Sequence, residues 1–338
     1  MSGDHSLLRR QFTDLLDYRL GGRALSCSDQ WFASHENLVQ PDPPTYKPRH
    51  FVSTGQWMDG WETRRSYGRS ARKLKHDWCV LRLGAPGVIK SFNIETIHFK
   101  GNAPQFASVD GAWKPHGSEE NLDWFELLPI SNIQADSPNF MNVDDEKPVT
   151  HVRLKIYPDG GVARLRAFGR AEIVRENYVE NELVDLASAS NGGLAQQCSD
   201  EFFSSPGNLL LSKPGTNMGD GWETKRRRDD GHDWCIIRLG VSGHIKKVIV
   251  DTSHFKGNFP DHFSLEALSS THEKVESDDQ GWQNVLPPTG LQSDREHIFV
   301  NEILPHECRN SSHIRLNIFP DGGVSRLRIL GLPNFDFA

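Results

Sequence analysis

Hydrophobic residues fall on alternate positions along much of this chain. In Val152-Arg-Leu-Lys-Ile156 basic side chains separate the apolar ones, and Ile314-Arg-Leu-Asn-Ile318 repeats the pattern. A period of two sends successive side chains to opposite faces of an extended backbone, as in a half-buried antiparallel strand. Pro158-Asp-Gly-Gly161 and Pro320-Asp-Gly-Gly323 follow these runs and supply residues that turn a chain tightly back. Short alternating runs with Gly and Pro between them, and few long helical patterns, predict an all-β sandwich. The polar stretches Ser131 to Lys147 and Ser269 to Gln280 read as surface loops.

The pattern occurs twice because the chain is one domain written twice. Asp59-Gly-Trp-Glu-Thr-Arg-Arg65 returns as Asp220-Gly-Trp-Glu-Thr-Lys-Arg226. In the same order, Ser28-Asp-Gln-Trp-Phe32 matches Ser199-Asp-Glu-Phe-Phe203, and His76-Asp-Trp-Cys79 matches His232-Asp-Trp-Cys235. His98-Phe-Lys-Gly-Asn102 matches His254-Phe-Lys-Gly-Asn258, and the Pro-Asp-Gly-Gly turns close each copy. The register slips between blocks, so insertions lie in the connecting loops, where they are tolerated. The boundary is expected between Arg170 and Glu182, giving domains 1–172 and 173–338.

A length of 338 residues lets each copy bury its own core. The formal net charge of −7 disfavours nonspecific binding to nucleic acid or an anionic membrane. The basic run Arg64 to Lys75 is local and reads as a solvated loop. No apolar run approaches the roughly 20 residues that span a bilayer, and the first residues lack the apolar core of a secretory signal. The five cysteines form no Cys-x-x-Cys pair, and their odd number suits a reducing compartment. They read as small buried hydrophobes in a cytosolic protein.

Candidate chemistry follows from what the duplication repeats. Asp233 to Leu239 reads as a strand, Gly240 to Gly243 as a turn, and Lys246 to Phe255 as a strand running back. That places Asp233 and His254 at one end on core-facing sides, with an Asp–His contact in reach if the strands pair. The first copy repeats this with Asp77, His98 and Lys100. Glu62 and Glu223, in the Gly-Trp-Glu-Thr segments read as turns, are candidate acids or bases. The adjacent Arg65 and Arg226 are candidate anion holders. Arg164 and Arg166, like Arg326 and Arg328, share a strand face and require an acid between them, from protein or ligand. No local metal motif exists, but His76, Asp77 and His98, or His232, Asp233 and His254, are candidate ligands should they converge on a divalent ion. Rossmann, Walker and Gly-x-Ser-x-Gly signatures are absent.

The duplicated blocks resemble the allantoicase family nearly end to end. The resemblance rests on Leu20-Gly-Gly-Arg23, both Asp-Gly-Trp-Glu-Thr segments, His232-Asp-Trp-Cys-Ile-Ile-Arg-Leu-Gly240, Asp251-Thr-Ser-His-Phe-Lys-Gly-Asn258 and both Pro-Asp-Gly-Gly turns. It implies two tandem jelly-roll sandwiches of the galactose-binding-like type, a homo-oligomer, and hydrolysis of a ureido C–N bond in allantoate to give ureidoglycolate and urea. With it, Glu223, His232, Asp233, His254, Glu62, His76, Asp77 and His98 are expected in proton transfer. Lys256, Asn258, Arg226, Arg326, Lys100, Asn102, Arg65 and Arg164 are expected to orient the substrate. The second copy is favoured as the working one, its loop before His232 being five residues shorter and its polar block fuller. The competing reading is a non-enzymatic binding protein for carbohydrates or other small molecules, which calls for exposed aromatics at loop tips. Trp61, Trp78, Trp222 and Trp234, set within charged blocks, point instead to a polar pocket.

Overall fold

The computed structural model describes residues 8, 10–65, 75–117, 119–304 and 310–336. Most of the basic run and Cys308 lie outside the described residues. The chain divides into a unit of Phe12–Glu172 and a unit of Ile173–Ala338 joined by the segment before Phe12. Arg10 ties that segment to Glu201.

The first unit holds β1 (Thr13–Asp14), β2 (Arg23–Cys27), β3 (Phe51–Val52), β4 (Gly55–Gln56), β5 (Trp61–Glu62) and β6 (Asp77–Glu95). It continues with β7 (Phe106–Ala112), β8 (Phe125–Asn132), β9 (Phe140–Asn142), β10 (Val149–Tyr157), β11 (Gly161–Val162) and β12 (Arg164–Ala171). The second repeats this plan without the β3–β4 pair: β13 (Val184–Asp185), β14 (Leu194–Cys198), β15 (Trp222–Glu223), β16 (Asp233–Asp251) and β17 (His262–Leu268). Then come β18 (Gln283–Gly290), β19 (Glu296–Phe299), β20 (Ser311–Phe319), β21 (Gly323–Val324) and β22 (Arg326–Pro333). Among the described residues, helix is confined to short 3-10 turns and a stretch before Phe12.

Each main sheet is organised by one 19-residue strand, β6 or β16. The expected strand–turn–strand is one strand that changes partners at Gly240 to Gly243. Before the change it pairs with β14 and β20, and after it with β19 and β22. β16 stays extended through these residues, so the turn expected there is replaced by a change of partner within one continuous strand. Its halves serve the two layers of a jelly-roll sandwich and do not pair with each other. Val152, Leu154, Ile156, Ile314, Leu316 and Ile318 are fully buried, as their alternation required.

Four expectations need correction. Trp61-Glu62 and Trp222-Glu223 are short strands, not turns, latched to β11 and β21 with Glu62 opposite Gly161 and Glu223 opposite Gly323. Trp61 and Trp222 are fully buried and their indole N–H groups donate to the Asp29 and Asp200 carbonyls, so they are core. The stretch Ser131 to Lys147 is not all loop: Phe140–Asn142 pairs with β6. Arg164 is 2% exposed and spends its guanidinium on the Asp59 carboxylate and on carbonyls of Asp42, Asp59 and Ala163. Arg326 does the same with Asp220, Lys213 and Ser325. With their donors so committed, these arginines brace the rim and do not hold a substrate. The acids facing Arg166 and Arg328 are also the protein's own, Asp14 and Glu95 for one and Asp185 for the other.

Cys79 and Cys235 are fully buried, while Cys27 and Cys198, their cross-strand neighbours, are half-buried. Burial pushes the Cys198 thiol up to about 12 and the others upward too, which keeps them protonated and inert.

Candidate active site

The His-Phe-Lys-Gly-Asn block follows the end of β6 and hangs on one aromatic ring. Phe99 is fully buried against Gly161, where an added Cβ would lie 2.0 Å from the ring; Phe255 and Gly323 repeat the contact at 1.9 Å. Glycine at that turn is therefore a packing requirement. With Phe99 anchored, its neighbours are held at the rim. His98 sits in the left-handed region at φ +72° and His254 at +75°, a conformation that non-glycine residues seldom adopt. An aspartate fixes each: the His98 N–H donates to Asp136 Oδ1 (2.8 Å) and the His254 N–H to Asp294 Oδ1 (2.7 Å). The same aspartates lie 3.7 Å from Lys100 Nζ and 3.8 Å from Lys256 Nζ. Sequence reading passed over Asp136 and Asp294, although Gln134-Ala-Asp136 and Gln292-Ser-Asp294 form a duplicated signal.

The imidazoles are oriented as well. The Nε2 atom of His98 lies 3.1 Å from the Pro44 carbonyl, and that of His254 2.9 Å from the Gly215 carbonyl. A carbonyl only accepts, so Nε2 carries the proton and Nδ1 of the neutral ring keeps its lone pair. Asn102 Nδ2 donates to Glu62 Oε1 at 2.7 Å, and Asn258 donates to Glu223 likewise. Burial pushes the Glu62 carboxyl above the usual range, opposed by the Asn102 hydrogen bond and the Arg65 charge. Arg65, 53% exposed, bridges Asp159 and the Gly101 carbonyl. Its sequence counterpart Arg226 is exposed, and it is Arg227 that binds Asp321 and Asp233.

In the first repeat these groups open onto a cavity of about 440 Å³ lined by Phe32, Tyr46, Gln56, Glu62, His98, Lys100 and Asn102, among others. Tyr46 and Gln56 belong to a stretch whose length and sequence differ between the copies, so duplication did not flag them. Between Asn37 and Asp59 the first copy is ten residues longer than the second between Asn208 and Asp220. The extra chain carries β3 and β4.

The remaining candidates go elsewhere. Asp233 is buried and accepts from Ser199 Oγ and Arg227 Nη1, both at 2.8 Å. It makes no hydrogen bond to His254, because the two halves of β16 lie in different layers. Asp77 is likewise buried and accepts from Ser28 Oγ. The neighbouring histidines point to the opposite face: His76 packs on Tyr157, and His232 stacks on Phe319 with centroids 4.5 Å apart. His232 lines a second cavity of about 510 Å³ with Trp234, Glu266, Arg315 and Asn317. The histidines and aspartates considered for a divalent ion are thus not gathered, and among the described residues no group of three or more His, Cys, Asp or Glu is placed to hold a metal. No described helix is long and apolar enough to cross a membrane.

Fold and site define a duplicated jelly-roll protein whose repeats each present Glu–Asn, His and Lys at one rim, walled into a cavity in the first. The model of the allantoicase repeat matches residues 13–172 and 184–334. A probable allantoicase of Pseudomonas aeruginosa is 44% identical over 96% of this chain and 97% of its own length. The allantoicase of Dictyostelium discoideum is 43% identical over 94% of this chain and 86% of its own. The crystal structure of allantoicase from Saccharomyces cerevisiae superposes with a TM-score of 0.80 at 34% identity, covering 98% of this chain and 96% of that one. The chain belongs to the allantoicase family.

Proposed function

We infer that the protein hydrolyses allantoate to ureidoglycolate and urea, and that the first repeat carries the reaction. The observation behind the second clause is the cavity that brings Glu62, His98, Lys100 and Asn102 together under the β3–β4 wall. In the second repeat Phe203, the counterpart of Phe32, is 60% exposed, whereas Phe32 is half-buried. This reading departs from the preference for the second copy, which weighed its shorter loop before His232 and its fuller polar block.

Allantoate carries a carboxylate and two ureido arms on one tetrahedral carbon. Replacing one arm by a hydroxyl consumes water, and the departing nitrogen must gain the proton that water loses. Glu62, whose burial shifts its carboxyl toward the protonated form, is the group placed to donate to the leaving nitrogen. His98, its Nε2–H fixed on Pro44, presents Nδ1 as the base that takes a proton from water. Exposed Lys100 meets the carboxylate, and Asn102 steadies Glu62 while its own carbonyl faces a ureido N–H. Glu223, His254, Lys256 and Asn258 are the second repeat's copies of this set. A cytoplasmic homo-oligomer is the setting this reading expects. The binding-protein alternative is not favoured, since the relatives across the whole length are allantoicases. Urea release from allantoate, assayed with and without a chelator, tests the activity and its metal dependence; no urea in either assay overturns the reading.

A further inference from the structure

Gln56 lies on the β3–β4 wall and lines the first repeat's cavity. Its Nε2 is 3.1 Å from the carbonyls of both Lys47 and His50. Two acceptors on one side require the NH2 there, so Oε1 is turned the other way and, among the described residues, has no hydrogen-bond partner. The wall holding it is stiff for a surface hairpin. The Trp57 N–H donates to the His50 carbonyl, Lys47 Nζ sits 4.7 Å over the Trp57 ring, and Asp59 binds the Thr45 N–H. Asn102, across the same cavity, is in an equivalent state. Its NH2 is spent on Glu62, and its Oδ1 carries no protein hydrogen bond.

Two residues that line one cavity thus carry amide oxygens left open while their NH2 groups are occupied, beside one lysine. A ligand with one carboxylate and two N–H-rich ureido arms matches that set group for group. We propose that Gln56 is a specificity-determining residue whose carbonyl receives the ureido arm that stays on the substrate, while Asn102 and Glu62 take the arm that leaves. The proposal rests on the first repeat being the reacting one. In the second repeat Asn258 is retained, and the residue three places before Asp220, as Gln56 is before Asp59, is the shorter amide Asn217. A ligand with a single arm leaves the Gln56 oxygen unpaired, and a site built to hydrogen-bond a group discriminates against ligands without it.

The test compares two ligands in Gln56→Met, which keeps the chain length and removes the acceptor. Kinetics with allantoate are measured alongside the inhibition constant of N-carbamoylglycine, an acid with one ureido arm. Loss of a neutral hydrogen bond is expected to raise KM for allantoate about tenfold. The same change should leave kcat within about threefold and the N-carbamoylglycine constant within about twofold. Parallel weakening of both ligands, the mark of a residue that only props up the hairpin, overturns the inference, as does no change in either. Gln56→Asn, which keeps the amide but withdraws its oxygen, should show the same split between the ligands if Gln56→Met disorders the hairpin. Glu62→Gln separates the two levels: retained turnover sinks the first-repeat reading itself, whereas lost turnover beside parallel shifts in Gln56→Met sinks only the role of Gln56.

Discussion

In the first repeat Phe32 lies under Gly55, and its ring forms one side of a cavity whose other walls are Tyr46, Gln56 and the Glu62–Asn102 pair. In the second, Phe203 occupies the matching place with nothing of the kind above it and stands edge-on to Phe202. Beneath these residues the repeats agree closely. The histidines share a left-handed backbone, the aspartate behind each and the carbonyl in front, and both Glu–Asn pairs are kept. The chemical groups were copied, then, and the enclosure was not. Enclosure decides much, because a carboxyl excluded from water holds its proton longer and dipoles act more strongly where water is displaced. Burial lifts Glu62 in this way.

The sharpest test sets Glu62→Gln against Glu223→Gln. Removing a positioned proton donor costs about 10²- to 10⁴-fold, so Glu62→Gln should lower kcat by that much. Glu223→Gln should leave it within a few-fold. Steady-state urea release measures both; equal losses would mean that the second rim also works and that enclosure is not the deciding difference.

A second pair of variants probes what the repeats share. Arg164 pairs with Asp59 at 2.9 Å, and Arg326 with Asp220 at 3.2 Å, all four side chains being largely or wholly buried. Removing one partner of such a pair strands a buried charge and costs roughly 3–5 kcal/mol. Asp59→Ala and Asp220→Ala should each lower the unfolding midpoint of their own repeat by comparable amounts in thermal melts. Asp59→Ala should in addition weaken allantoate binding, because Asp59 accepts from Thr45 N and Oγ1 at the foot of the wall segment. A midpoint shift in only one variant would show that the shared brace is not equivalent.

The shared parts were also the legible parts. Alternation announced β10 and β20, because burial acts locally on those residues, whereas the glycines at 240–243 suggested a turn where β16 only changes partners. Duplication then singled out Glu62, His98, Lys100 and Asn102, and the structure brings these four to one cavity. It singled out Asp77, Asp233, Arg164 and Arg326 equally well, and these are buried props. A repeat preserves whatever the fold needs along with whatever chemistry needs, and only burial and partners separate the two. His76 and His232 show the period-two rule at work: each precedes an inward-facing Asp and so faces outward, away from the residues with which it had been grouped. Tyr46 and Gln56 were hidden for the opposite reason, since the stretch that holds them differs in length and sequence between the copies.

The smallest expected effect concerns stability rather than rate. A carboxyl whose folded pKa lies above its unfolded one binds more protons in the native state than in the unfolded state. Below the ordinary Glu range Glu62 is protonated in both states and contributes nothing to pH dependence. As pH rises from there through its raised value, the unfolded chain ionises first, and the native state loses stability relative to it. Above that window the loss is complete and constant. Glu62→Gln removes the titration but keeps the shape and a hydrogen-bonding head. The stability of Glu62→Gln relative to the parent should therefore increase as pH climbs through the window and then level off. Unfolding midpoints of parent and variant at a series of pH values read this, and a difference that stays constant through the window would mean that burial does not raise the proton affinity of Glu62 in the native state.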